Sequence, residues 1–137
     1  MKKILVGYDT SKHSDRALEL AIELAKNSEC DLITMFVRSK YDRSFITEAS
    51  MPEEEVKVKM KDMMKDTVKK IIQEGVQVEG VILKGDVATK IIEYSLEHEI
   101  DLIVLGALGI GETEKYKLGS VAEKVVRYSN TPVLIAR

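Results

Sequence analysis

Five short apolar runs alternate with four segments whose apolar residues recur at helical spacing, and this alternation confines the chain to the α/β class. The runs are Ile4 to Val6, Leu32 to Val37, Val76 to Leu83, Leu102 to Leu105 and Val133 to Ala136. Their unbroken apolar character suits parallel strands covered on both faces. The predicted architecture is therefore an open, twisted five-stranded parallel sheet with helices on both faces, Rossmann-like in its winding.

The helical segments follow from spacing and capping. A first helix is predicted over Ser14 to Lys26, where Ala17, Leu18, Ala21, Ile22 and Ala25 share one face. A second is predicted to start near Ser50, which stands at capping-box spacing from Glu53; Val56, Met60, Met63, Met64, Val68 and Ile71 form its stripe and Gly75 its stop. Asp86 is a good N-cap for a third helix that buries Val87, Ile91, Ile92 and either Ser95 or Leu96. The fourth follows Gly119, burying Val121, Ala122, Val125 and Val126, and Pro132 opens the last strand. Residues 38–49 are polar and aperiodic, which predicts a mobile connection.

Size and charge then bound the function. At 137 residues the chain is expected to form one domain, residues 1–137, with an aliphatic core, since it has no Trp and only two Phe. Its 21 basic and 23 acidic residues nearly cancel, so it lacks the electrostatic footprint of a nucleic-acid or anionic-membrane binder. Cys30 is the only cysteine and has no internal partner. The opening MKKILVGYD reaches Asp9 after too few apolar residues for a signal peptide, and no stretch approaches the roughly 18 apolar residues of a membrane span, so a cytoplasmic protein is expected.

In sheets of this kind ligands bind beyond the carboxyl ends of the strands, where the winding direction reverses. The ends of the first and fourth strands are the candidates, and they carry Gly7-Tyr8-Asp9-Thr10-Ser11 and Gly106-Ala107-Leu108-Gly109. A P-loop is absent, and GYDTSKHS has one glycine where a dinucleotide fingerprint needs three. What stands instead is G-x2-G-x9-G-S, from Gly106 through Gly109 to Gly119 and Ser120. Glycines let the backbone approach a ligand, and the first N–H groups of the following helix, here at Gly119, Ser120 and Val121, point at an anion. His13 and His98 have no companion at metal-ligand spacing, so no metal site is expected from them.

This set of features resembles the universal stress protein family: a first strand ending in G-x-D-x-S, a second ending in F-V, a G-D-x-A turn before the third helix, and G-x2-G-x9-G-S followed by V-A-E-K-V-V and T-P-V-L-I. The resemblance covers nearly the whole chain and implies an adenine nucleotide alpha hydrolase-like fold and ATP, with magnesium, as ligand. It implies that Asp9, with Thr10 and Ser11 beside it, contacts the nucleoside, that Phe36 and Val37 border the adenine, and that Gly109, Gly119, Ser120 and Val121 hold phosphates. Ala107 and Leu108 stand where family members often have a polar or basic residue, and the spacer brings Glu112 and Glu114.

Each residue has a second reading. Asp9 and Ser11 also fit helix capping, Phe36 and Val37 core packing, and Gly106 a close contact between elements. The function that follows from the resemblance is a nucleotide-responsive regulatory module with an unidentified protein partner. The alternatives are an interaction module of the same fold without nucleotide, and a slow ATPase, for which no P-loop lysine, arginine finger or water-positioning base is evident. The resemblance and the expected edge position of the last strand, Thr131 to Arg137, both imply a homodimer paired through it.

Overall fold

The computed structural model describes residues 1–39, 51–109 and 117–137. Among these, five strands and four helices alternate: β1 (Lys3–Gly7), α1 (Lys12–Ser28), β2 (Asp31–Arg38), α2 (Glu53–Gln73), β3 (Val78–Lys84), α3 (Val87–Glu97), β4 (Leu102–Gly106), α4 (Ser120–Tyr128) and β5 (Val133–Ala136). The strands form one parallel sheet in the order β3-β2-β1-β4-β5. The chain winds outward from β1 to β3, then crosses to β4 and winds the other way to β5. Right-handed crossovers therefore put α1 and α2 on one face and α3 and α4 on the other.

Strand alternation splits the core accordingly. Ile4, Val6, Leu32 and Val104 pack with Ala17, Ala21 and Ala25 of α1 and Ile71 of α2. Leu5, Ile33, Met35, Ile103 and Leu105 pack with Ala88 and Ile91 of α3 and Val125 of α4. Burial of each large aliphatic side chain contributes about 1.5–3 kcal/mol, and the two layers are closed by different helices. Phe36, Val56, Met60 and Met64 make a third cluster beneath α2. The methionine stripe is thus core.

The boundaries refine the sequence reading. Ser11 caps α1, its Oγ accepting from the Ser14 N–H, so the helix starts two residues early. The cap position of α2 is Pro52, not Ser50: the Pro52 carbonyl accepts from Glu55 and Val56, and Glu53, Glu54 and Glu55 complement the helix dipole in place of a side-chain cap. Ser50 itself, and the expected mobile connection beyond Ser39, lie outside the described residues. Gly75 ends α2 as predicted, with φ +83. In α3 the buried residue is Ser95, whose Oγ donates to the Ile91 carbonyl at 2.7 Å, while Leu96 is 76% exposed. Val126 of α4 is likewise exposed. In both helices the inward arc is narrower than the apolar stripe. The third strand starts at Val78 and lies at one sheet edge, with Glu79 and Gly80 exposed. No described helix is long and apolar enough to cross a membrane.

Candidate functional site

A cleft of about 480 Å³ opens at the carboxyl ends of β1 and β4, the strands between which the winding reverses. Its lining includes Asp9, Phe36, Val37, Gly106, Gly109, Gly119, Ser120 and Val121, brought together from four separate stretches of chain. Thr10 and Ser11 stand outside that lining.

The turn after β1 explains why. The Asp9 carboxylate accepts from the Ser11 N–H at 3.0 Å, and the Asp9 N–H donates to Ser14 Oγ at 3.2 Å. Ser14 Oγ in turn donates to the Ser11 carbonyl at 3.0 Å. Thr10 takes the left-handed conformation, φ 71, with its hydroxyl donating to the Asp9 carbonyl. A β-branched residue is uncommon there, so this turn is held by its neighbours. Ser11 and Thr10 thus serve the entrance of α1. Asp9 both fixes the turn and faces the cleft.

Across the cleft, the Gly119 N–H donates to the Ala107 carbonyl at 2.6 Å, and the Gly119 carbonyl accepts the first intrahelical bond of α4, from Glu123. Gly119 therefore offers no N–H to an anion, contrary to the sequence reading; the first-turn donors are those of Ser120, Val121 and Ala122, with the exposed Ser120 hydroxyl beside them. Ala107 is held in place because its own N–H continues the β4–β5 ladder to the Ala136 carbonyl at 2.7 Å.

Gly106 is a packing residue. A methyl group on it would stand 2.6 Å from the His13 carbonyl carbon, so glycine is what lets α1 cross the end of β4. Phe36 is buried with Val56, Met60 and Met64 on the opposite face of the sheet, which leaves main chain as its contribution to the cleft. Val37 lies on the cleft's own face.

Much of the rest of the wall is apolar, with Met35, Val87, Ile91, Leu105 and Leu108. Helical spacing assigns Val87 and Ile91 only to the core; that the start of α3 reaches the cleft depends on the crossover from β3, which no local pattern reports. Among the described lining residues Asp9 is the only charged side chain. Tyr8 also lines the cleft, and its hydroxyl donates to Asp15 at 2.8 Å. Burial, then the hydrogen bond to the Asp15 carboxylate, raises its pKa well above the ordinary phenol value, so it is neutral.

At the rim, Asp86 ties α3 to α4. Its carboxylate accepts from the Thr89 N–H at 3.0 Å, the Thr89 hydroxyl at 2.6 Å and Lys124 Nζ at 3.0 Å. The Thr89 hydroxyl, Lys124 and the Thr89 N–H together hold its pKa down to about 2.

Comparison with known proteins bears on the family and the fold. A family model, Universal stress protein family, matches residues 1–137. A universal stress protein of Bacillus subtilis is 32% identical, over 98% of this chain and 98% of its own. One from Methanocaldococcus jannaschii is 31% identical, over 99% of this chain and 82% of its own. Among solved structures, a universal stress protein from Lactobacillus plantarum superposes with a TM-score of 0.81 at 24% identity, covering 99% of this chain and 97% of that one. A universal stress protein in complex with cAMP gives 0.76 at 24% identity, with 99% and 96% covered. One from Archaeoglobus fulgidus in complex with dAMP gives 0.72 at 23% identity, with 100% and 98% covered.

Proposed function

This chain belongs to the universal stress protein family, and on that premise we propose that it is a regulatory module that binds an adenine nucleotide in the cleft between β1 and β4. The observation that carries this reading is the pairing of Asp9, at one wall, with the first-turn donors of α4 at the other. A carboxylate accepts from a ribose hydroxyl or an adenine amine, and a helix entrance receives phosphate. Two proteins of like fold are described with cAMP and dAMP, which supports an adenine nucleotide as the class. Under this reading Asp9 contacts the nucleoside, with Thr10 and Ser11 supporting its turn; the Phe36 and Val37 main chain borders the base; and Gly109, Gly119, Ser120 and Val121 surround the phosphates. ATP with magnesium is the cellular ligand implied by the glycine spacing. The module works as one domain, residues 1–137, in the cytoplasm, as a homodimer paired through the edge of β5, and signals to a protein partner.

Mass analysis of nucleotide released from freshly purified, denatured protein tests the reading. Recovery of an adenine nucleotide at near-stoichiometric yield is expected. Where the protein is isolated empty, ATP at a hundred times its dissociation constant should stabilise the fold by about 2.7 kcal/mol. No release and no thermal shift at millimolar ATP with magnesium would favour the nucleotide-free interaction module. Hydrolysis is expected to be slow or absent, because holding the phosphates alone stabilises ground and transition states alike. Turnover near about 10 per second, abolished in Asp9→Asn, would make the protein an enzyme.

A further inference from the structure

We propose that Gly7 is the residue by which this cleft selects a two-ring base: its missing side chain leaves the depth that a purine needs, and a methyl group there would shift the preference toward pyrimidine nucleotides. The inference rests on the adenine-nucleotide reading and adds to it the determinant of base size.

Gly7 ends β1 and lines the cleft, in register with Met35 of β2. Its backbone does not call for glycine: it lies within a strand, and the positive φ values among the described glycines fall at Gly75 and Gly85. What is short is room. A Cβ on Gly7 would stand 2.7 Å from Leu105 Cδ2 and 3.5 Å from Ile91 Cδ1, and both of those residues line the cleft. With Met35, Val37 and Val87 they form its apolar wall, the part that suits the base, which is the least polar portion of a nucleotide. A methyl group on Gly106 would meet main chain, whereas one on Gly7 meets the ends of side chains, which can move. Leu105 is 4% exposed and Ile91 1%, so the core behind them is closely packed and the open direction for any displacement is the cleft. The volume of an added methyl group is therefore taken from the base rather than from the fold.

Isothermal titration with AMP and CMP, both with magnesium, tests this. The two ligands share ribose and phosphate, so their affinity ratio isolates the base. The wild type should prefer AMP by about tenfold or more, since a single methylene in an apolar pocket is already worth about that much. Binding of AMP and CMP within about threefold of each other overturns this inference alone, whereas failure of both to bind overturns the nucleotide reading and this inference with it. Gly7→Ala should weaken AMP about tenfold and CMP by less than about threefold, with the circular dichroism unchanged. Equal losses for the two ligands would overturn the proposal, and a variant that no longer folds would show that the core, not the cleft, takes up the methyl group. Gly7→Ala/Leu105→Val exchanges one methyl-sized group for another at the same place, so it should return the AMP preference to within about threefold of the wild type. A preference that stays lost in the double variant would place the determinant elsewhere, against the proposal.

Discussion

Gly106 and His13 touch backbone to backbone: a methyl group on the glycine would lie 2.6 Å from the His13 carbonyl carbon, 2.8 Å from its Cβ and 2.9 Å from its oxygen. The end of β4 and the first turn of α1 thereby form a single rigid corner beside Asp9. The first glycine of the G-x2-G-x9-G-S pattern has a packing reason that is independent of any ligand.

Gly106→Val should therefore destabilise the fold. None of the close atoms is a flexible side-chain end, so relief requires α1 to shift, at about 1–3 kcal/mol. Thermal unfolding followed by circular dichroism should show the midpoint lowered by roughly 3–10 °C without ligand. An unchanged midpoint would remove the close-packing explanation.

Ser120→Pro separates fold from binding. Proline suits the first position of a helix, and Gly119, at φ −65 and ψ 163, already has the conformation required before a proline. The substitution removes the Ser120 N–H and hydroxyl together. Helix content should be retained while nucleotide affinity falls about 10- to 100-fold, the range for losing a hydrogen bond to a charged group. Unchanged affinity would exclude this helix entrance from phosphate binding.

Asp86 makes stability depend on acidity. Its pKa in the folded protein, about 2, lies below the ordinary aspartate value of about 3.9 expected when unfolded. Its stabilising contribution is therefore full above the unfolded value and is lost as pH falls through the window from about 4 to about 2. The difference in urea midpoint between wild type and Asp86→Asn should hold steady from about pH 7 to 5 and shrink below about 4. A difference that does not change across that window would mean that the carboxylate charge contributes nothing.

Leu134 tests the proposed dimer. It is 36% exposed on β5, which is an edge of the sheet, and Val126 and Tyr128 nearby in sequence on α4 are also exposed. Light scattering at micromolar concentration should give twice the 15.4 kDa chain mass for the wild type and a monomer for Leu134→Lys. A wild-type mass near 15.4 kDa would refute the interface.

Element type, element order and the location of the cleft were legible in the sequence, because each rests on a local or topological rule. Helical stripes such as Ala17, Ala21 and Ala25 repeat every turn, Asp86 caps the helix beside it, and a parallel sheet that reverses its winding opens a site where it does so. Tertiary structure decided which polar groups remain available there. The Gly119 N–H belongs to the Ala107 carbonyl only because the β4–β5 ladder turns that carbonyl toward it, and Lys124 meets Asp86 across 38 residues of chain. The same holds for Ser95 over Leu96 and for Val87 and Ile91 as cleft wall: the stripe is local, but its inward arc is cut by whatever packs against it. Spacing reports what a residue can do within a turn or two of helix; the partner that claims its hydrogen bond or its charge is chosen by distant chain brought close.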